Sequence, residues 1–146
     1  MNWNTFPAGA HIICIYGSDI LLLKRSQKTN MWPGYWAFPG GKVDDGELFR
    51  AAGIRELEEE LGIVVDKKDI VKETIVLTRT ITRTKIIYFG VADEWQGIPE
   101  ICEPKLAEKF SWFPLDNLPE HIVPYHKIAL EALQEDIAYS EYDTAP

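Results

Sequence analysis

Short apolar runs separated by turn residues dominate the first part of the chain. The runs "HIICIYG" (11–17) and "DILLLKR" (19–25) meet at Gly17-Ser18. Aliphatic and β-branched runs bounded by a glycine-containing turn are typical of a strand hairpin. We therefore expect two paired strands over 11–17 and 19–25.

The periodicity becomes helical after residue 46. In "ELFRAAGIRELEEELGI", the residues Ile54, Leu57 and Leu61 recur at three- and four-residue spacing, and Gly62 follows where a helix would end. This pattern predicts a helix over about 47–61. Gly53 lies inside it and costs about 1 kcal/mol relative to alanine, a cost that a close backbone approach would explain.

The second half also contains both strand and helix patterns. Residues 70–94 are rich in Ile, Val, Thr and Tyr and predict two long strands with a bend near Thr82–Thr84. "FSWFPLDNLPE" (110–120) predicts a short strand and a turn, and "VPYHKIALEALQEDIA" (123–138) predicts a second helix with Pro124 in its first turn. The tail, about 138–146, is expected to be loose. Strands and helices mix without strict alternation, so the fold class is α/β, a mixed sheet with helices on its faces.

Residues 26–46 join the hairpin to the first helix and read as a loop. They hold four of the ten glycines and two prolines, with a short extended piece at Tyr35–Phe38. The segment is also aromatic, and half of an extended piece faces a core, so we expect Trp36 and the later Trp112 to be structural. Trp32 is the aromatic residue we expect to touch a ligand or a partner subunit.

Composition limits the classes of partner. The chain has 146 residues, which fits a single domain over 1–146. No apolar run approaches the length of a bilayer span and no signal peptide is evident, so we expect a cytoplasmic protein that does not contact a membrane. The formal net charge is −8 and there is no long basic run, which disfavours a long nucleic acid. Cys14 lies in an apolar run and is expected in the core; Cys102 shows no metal-like spacing to it.

Three carboxylates fall on one face of the first predicted helix. Glu56, Glu59 and Glu60 stand at i, i+3 and i+4, where they repel one another by a few tenths of a kcal/mol per pair. Folding does not require this arrangement. A hard divalent cation such as Mg²⁺ would explain it, because Mg²⁺ takes oxygen ligands and also binds substrate phosphates. A solvated acidic face is the alternative explanation. The acids Asp44, Asp45 and Glu47 and the Gly40-Gly41 turn just before the helix favour the cation.

Residues 41–63, "GKVDDGELFRAAGIRELEEELGI", resemble the Nudix box, G-x5-E-x7-R-E-U-x-E-E-x-G-U with U aliphatic. Every fixed position matches; the matching residues are Gly41, Glu47, Arg55, Glu56, Leu57, Glu59, Glu60, Gly62 and Ile63. "LLLKRS", "WAFPGGK" and "WFPLDNLP" resemble the usual surroundings of the box, so the likeness extends over roughly 10–120. At Gly53 the family usually has alanine, a departure that concerns packing rather than ligands.

The resemblance implies a Nudix hydrolase of the MutT-like kind. The implied fold is an α/β/α sandwich around a mixed, mostly curled β-sheet. The implied activity is hydrolysis of the pyrophosphate linkage of a nucleoside diphosphate joined to another group, with Mg²⁺ or Mn²⁺. The implied metal ligands are Glu56, Glu59, Glu60 and the carbonyl of Gly40, with Arg55 and Glu47 orienting the carboxylates. Dimerisation is common in the family, and the sequence does not decide whether this chain forms a homodimer.

The resemblance to the box does not identify the general base or the substrate contacts as closely as the metal ligands. Glu59 is the candidate base inside the box, and the loop "ICEPKLAEKFSWF" offers Glu103 and Glu108, of which Glu108 is favoured. Candidate substrate contacts are Arg25, Trp32, Phe38 and Gly41. Arg25 would hold a phosphate or pair with a surface acid, and both explanations stay open. His11, His121 and His126 show no ligand spacing and are expected to have surface or core roles.

Three functions fit these observations. The first is a pyrophosphohydrolase acting on a nucleoside triphosphate or a similar small nucleotide. The second is a nucleotide-binding or sensor module that has lost turnover, although such modules commonly lose box glutamates and here all are present. The third is an RNA 5′-end pyrophosphohydrolase, which the acidic balance makes less attractive. The box itself does not identify the substrate.

Overall fold

The computed structural model describes residues 3–144. Within that range the chain forms eight strands, two α-helices and a 3₁₀ turn at Lys67–Asp69. The strands are β1 (Ala8–Tyr16), β2 (Asp19–Arg25), β3 (Trp36–Ala37), β4 (Gly40–Lys42), β5 (Ile70–Arg79), β6 (Thr84–Ala92), β7 (Ala107–Pro114) and β8 (Tyr139–Asp143). The helices are α1 (Phe49–Leu61) and α2 (Pro124–Gln134). No helix in the described range has the length and apolarity needed to cross a membrane.

The strands form one open mixed sheet in the order β3-β2-β1-β6-β5-β8, with β4 also paired to β1 and β7 to β2. β1 organises it by changing partners along its length. From Ala8 to Cys14 it runs parallel to β6, whereas Ile15 and Tyr16 pair antiparallel with β2. The predicted hairpin of β1 and β2 is confirmed. The two long strands predicted over 70–94 are confirmed as β5 and β6, which pair antiparallel.

Alternating side chains of the sheet build two separate cores. Along β1, Ala10, Ile12 and Cys14 face α1, whereas Ile13 faces α2. The α1 core is completed by Leu57 and Leu61, and the α2 core by Ala129, Leu130 and Leu133. Because a strand directs successive side chains to opposite faces, the central strands are apolar on both sides. The predicted α/β/α sandwich is confirmed.

The tail prediction was wrong for residues 139–143, which form β8. This strand pairs parallel with β5, from Ile75 opposite Tyr139 to Arg79 opposite Asp143. An ion pair of 2.6 Å between Arg79 Nη2 and Asp143 Oδ2 holds its end. The polar sequence "YSEYD" did not predict a strand, because an outermost strand needs few apolar residues and so lacks the usual apolar pattern. Residues 145–146 lie outside the described range.

Gly53 has the close approach that its position in α1 suggested. A Cβ placed there would lie 3.0 Å from Cδ1 and 3.2 Å from Cγ1 of Ile12 on β1. Ile12 is fully buried and has little room to move. The missing Cβ thus allows the helix to lie close to the central strand.

We predict that Gly53→Ala is destabilising in the wild-type protein, because overpacking of about 1–3 kcal/mol outweighs a helix-propensity gain of about 1 kcal/mol. Ile12→Val removes the Cδ1 atom that the new methyl would meet. In that background Gly53→Ala should be neutral or stabilising. Urea unfolding of the four proteins of this cycle measures the coupling. Additive free energies of unfolding would contradict the contact.

Candidate active site

The glutamates of the box are positioned by the burial of α1. Leu57 and Leu61 lie in the core, so the neighbouring Glu56 and Glu60 are only partly exposed and face the β4 side of the helix. Glu59 is directed further outward, with half of its side chain exposed. Gly62 ends the helix in a left-handed conformation with φ of 71°.

Arg55 forms hydrogen bonds to several residues of the box. Its Nε and Nη2 donate to the two carboxylate oxygens of Glu47 at 2.8 and 2.9 Å. Its Nη1 donates to Glu56 at 3.1 Å and to both oxygens of Glu59 at 3.2 Å. A further bond of 3.0 Å joins Nη2 to the carbonyl of Lys42 on β4. Hydrogen bonding from Arg55 lowers the pKa of Glu47 to about 2, with help from the Asp44 amide.

Two glycines bring the box carboxylates against the main chain. The Gly40 amide donates to Glu60 Oε2 at 3.1 Å. A Cβ at Gly41 would lie 2.7 Å from the Glu56 carboxylate, and a Cβ at Gly40 would lie 2.3 Å from the carbonyl oxygen of Ala10. Only glycine fits either position without displacing these groups.

Burial and repulsion destabilise the charged forms of two of these acids. Desolvation raises the pKa of Glu56, and the charges of Glu59 and Glu103 add to the effect. Desolvation also raises the pKa of Glu60 well above its usual range, opposed by the Gly40 amide and strengthened by Glu56 and Glu103. Ionising both carboxylates beside Gly40 and Gly41 therefore has an energetic cost.

The loop glutamates lie in different places. Glu103 is close enough to Glu56 and Glu60 to raise the pKa of each. Glu108, which the sequence favoured, lies on β7 with its Oε2 at 4.0 Å from Lys24 Nζ. The two glutamates lie apart because a turn separates them. The Glu103 carbonyl accepts hydrogen bonds from the amides of Leu106 and Ala107 in this turn, and β7 begins at Ala107. Glu103 thus lies near the box carboxylates Glu56 and Glu60, whereas Glu108 contacts Lys24 on β2.

A cleft of about 1010 Å³ opens beside the acids. Its lining includes the acids Asp44, Asp45 and Glu47 of the box. It also includes basic residues, which are Arg25, Lys42, Arg83 and Lys85. A cleft lined by both acids and cations suits a ligand that carries phosphates, provided that positive charge offsets the acids.

Similarity to known proteins agrees with this geometry. The family model described as NUDIX domain matches residues 5–133. The chain belongs to the NUDIX family. A crystal structure of a MutT NUDIX hydrolase from Burkholderia pseudomallei is similar with a TM-score of 0.74 and 32% sequence identity, covering 88% of this chain and 98% of that one.

Two curated relatives share parts of this NUDIX chain. An 8-oxo-dGTP diphosphatase from Proteus vulgaris is 43% identical over 56 residues, which cover 38% of this chain and 49% of that protein. An ADP-ribose pyrophosphatase from Methanocaldococcus jannaschii is 32% identical over 111 residues, which cover 76% of this chain and 63% of that protein. The chain therefore matches less than two thirds of the length of either relative.

The predicted substrate contacts of this NUDIX protein divide into two groups. Arg25, Trp32 and Gly41 line the cleft. Arg25 forms no ion pair with an acid among residues 3–144, and its Nε donates to the Met31 carbonyl at 2.9 Å. Trp32 has a φ of 51°, an unfavourable value for a bulky residue, and its ring packs edge-on against Tyr35 at 5.1 Å.

Phe38 is placed differently from its prediction as a substrate contact. It is 2% exposed and belongs to the α2 core, with its ring stacked on His126 at 5.8 Å. The alternation of the extended segment turns its side chain inward. Trp36 and Trp112 are both half-buried, the first against Phe113 and the second stacked on Trp95 at 5.8 Å, which agrees with their structural roles.

The cleft also contains residues that sequence reasoning did not select. They include His11, Lys85, Tyr125 and His126. The rings of His11 and His126 meet at 4.5 Å, although the residues are far apart in sequence. Only the pairing of β1 beside β4 and the position of α2 bring them together, so spacing along the chain carried no signal.

The backbone of Phe38 joins the two histidines. His11 Nδ1 lies 2.9 Å from the Phe38 carbonyl oxygen, and the Phe38 amide donates to His126 Nδ1 at 3.0 Å. Burial lowers the pKa of His11 to about 4, and burial followed by the charges of His11 and Arg25 lowers the pKa of His126 well below its usual range. Both imidazoles are therefore neutral at pH 7.

We predict that acid weakens the fold through this pair. Below about pH 6.5 the unfolded histidines bind protons that the folded ones do not, so stability falls as the pH drops towards 4. The slope is at most about 1.4 kcal/mol per pH unit for each histidine. Urea unfolding between pH 7 and 5 should show a shallower slope for His126→Asn than for wild type. His121→Asn, which changes an exposed histidine, is the control and should keep the wild-type slope.

Proposed function

We propose that this NUDIX protein is a Mg²⁺- or Mn²⁺-dependent pyrophosphohydrolase. It acts on a small nucleotide in which a nucleoside diphosphate is joined to another group, such as a nucleoside triphosphate. The named activities of the two curated relatives, on 8-oxo-dGTP and on ADP-ribose, both concern nucleoside diphosphate derivatives and support this substrate class. The net charge of −8 argues against a long RNA as the substrate. We expect the protein to act in the cytoplasm.

One observation supports the proposal above all others. Glu56 and Glu60 are packed against Gly41 and Gly40, where their charges are desolvated and repel that of Glu103. A solvated acidic face would have no reason to hold carboxylates in this way. An acidic site that is costly without a cation and adjoins a cleft with basic groups fits metal-assisted phosphate chemistry.

The donor set suits a hard divalent cation. It consists of carboxylate oxygens of Glu56, Glu59 and Glu60, with the Gly40 carbonyl as a main-chain oxygen, and these are the ligands that Mg²⁺ and Mn²⁺ prefer. In residues 3–144 no three acidic, His or Cys side chains are already arranged around one point. Arg55 hydrogen-bonds one oxygen of Glu56 and both oxygens of Glu59, and each carboxylate keeps further lone pairs that could bind an ion.

The residues of the chain then have separate tasks. Glu47 fixes Arg55, and Arg55 orients Glu56 and Glu59. When bound, the ion supplies positive charge that offsets the phosphates and makes water more acidic. Arg25 lines the cleft without an acidic partner and holds a phosphate, while Trp32 packs on the nucleoside.

Glu103 is our choice as the general base. Its side chain has no hydrogen bond within the described residues, whereas both oxygens of Glu59 accept from Arg55. A base needs a free lone pair within reach of the attacking water. Glu108 contacts Lys24 and is not proposed for this role.

A panel of nucleotides with Mg²⁺, scored by released phosphate and pyrophosphate, tests the activity. We expect Glu60→Gln and Glu56→Gln to fold normally and to lose at least about 100-fold in turnover, because an amide neither carries the charge nor binds a hard cation well. Glu58→Gln alters an exposed glutamate of the same helix and serves as the matched control. Turnover like that of the wild type in both site variants would refute the proposal. Adding RNA with a 5′-triphosphate to the panel tests the third function.

The loop base has its own test. Glu103→Gln should lower kcat by about 10²-fold or more with little change in KM, since a general base acts on the chemical step. Glu108→Gln, five residues further along the chain, should retain wild-type kinetics. The reverse ranking of the two variants would restore Glu108 as the base.

A further inference from the structure

A second hollow of about 630 Å³ lies beside the active-site cleft. Five residues line both spaces, which are therefore adjacent; these residues are Met31, Trp32, Arg83, Lys85 and Tyr125. The box acids Asp44, Asp45 and Glu47 line the cleft but not the second hollow. Within residues 3–144, Arg83 and Lys85 supply the only charged groups in the lining of that hollow.

A closed turn and the sheet fix the main chain from which these two cations extend. The Thr80 amide donates to the Arg83 carbonyl at 2.9 Å, and the Thr80 hydroxyl donates to the same oxygen at 3.3 Å. Lys85 lies two residues further on, on β6, where it pairs with Thr78 of β5. The backbone at both cations is therefore held in place by hydrogen bonds.

The positive charges of Arg83 and Lys85 are not offset by acids. No ion pair joins either side chain to an acid within residues 3–144, although the chain has 23 acidic and 15 basic residues. Met31 instead brings Lys85 near a third cation, since Lys85 Nζ lies 3.8 Å from Met31 Sδ and Arg25 Nε donates to the Met31 carbonyl at 2.9 Å. Lys85 is half-buried, and its burial followed by the charges of Arg83 and Arg25 lowers its pKa. Holding these cations together has an energetic cost that a bound anion would remove.

The position of the two cations indicates which anion they would bind. A diphosphate held at the box lies beside Gly40, Gly41 and Glu47, which line the cleft but not the second hollow. An anion bound by Arg83 and Lys85 is therefore a further group of the ligand. Hydroxyl groups in the second hollow suit a polar group of this kind. They belong to Thr78, Thr80, Thr82, Tyr142 and Thr144.

We propose that Arg83 and Lys85 bind an anionic group of the substrate other than the diphosphate that is cleaved. This inference rests on the proposed function and narrows it. Nucleoside diphosphates joined to an anionic group, such as the third phosphate of a nucleoside triphosphate, become better substrates than those joined to a neutral sugar. Arg83 and Lys85 are specificity-determining residues and take no part in the hydrolytic step.

The test compares three substrates with the same nucleoside, namely its triphosphate and its diphosphates joined to glucose and to glucuronate. Glucuronate differs from glucose by a carboxylate in place of a hydroxymethyl group, so this pair isolates the charge. Wild type should prefer the triphosphate over the glucose compound by about tenfold or more in kcat/KM, the value of one charge-assisted hydrogen bond. A similar preference for glucuronate over glucose would show that any anion is accepted, and a preference for the triphosphate alone would assign the anion as a phosphate. No preference for either anionic compound would refute the inference.

Variants assign the preference to the two cations. Arg83→Gln and Lys85→Gln remove the charge and should each reduce the ratio of kcat/KM between the triphosphate and the glucose compound by about tenfold. Arg83→Lys keeps the charge and should keep a preference. Lys127→Gln, which changes an exposed lysine outside both linings, is the control and should retain the wild-type ratio. Thermal unfolding verifies the fold of each variant, and an equal loss for both substrates would indicate a structural role instead.

The outcomes separate this inference from the proposed function. If no nucleotide is hydrolysed, the proposed function fails, and calorimetric titration of the same three nucleotides in Mg²⁺ measures whether wild type binds the anionic ones more tightly and whether Arg83→Gln removes that difference. If nucleotides are hydrolysed and both glutamine variants keep the wild-type ratio, anion recognition by Arg83 and Lys85 is refuted while the proposed function stands.

Discussion

The approach of the Gly40-Gly41 turn to both β1 and α1 is the constraint on which the rest of the site depends. At this point the main chain touches the Ala10 carbonyl on one side and the Glu56 and Glu60 carboxylates on the other. Any side chain at either glycine would separate these layers. The same contact therefore joins the sheet to the helix and concentrates negative charge at one end of the cleft.

Arg55 offsets part of the repulsion among these negative charges in the folded protein. A single guanidinium reaches Glu47, Glu56 and Glu59 and also ties α1 to the Lys42 carbonyl. Its planar fork suits several carboxylates at once, which an ammonium group would not. Glu60 accepts no hydrogen bond from Arg55 within residues 3–144 and is stabilised instead by the Gly40 amide and by the charge of Arg25. The glutamates at the fixed positions of the box are thus unequal in their contacts, although the sequence pattern does not distinguish them.

Much of the architecture was predictable because it depends on local patterns. Periodicity identified the β1–β2 hairpin, the β5–β6 pair and both helices, and the box spacing identified the acids that lie together. β8 was missed because its partner is distant and its composition is polar. The contact between the rings of His11 and His126 was not predicted for a similar reason, since only the tertiary fold brings β1 beside α2. The different positions of Glu103 and Glu108 depend on where one turn ends and β7 begins, which spacing alone does not reveal.

The outermost strand has a consequence for the behaviour of the protein at high concentration. β8 covers one edge of β5 and presents its own free edge to solvent, with Glu141 and Asp143 among its five residues. Two copies joined through this edge in antiparallel register around Glu141 would bring like charges face to face. Acidic side chains on a short terminal strand discourage such lateral growth into aggregates. The polar segment that concealed the strand in the sequence thereby protects the sheet that it completes.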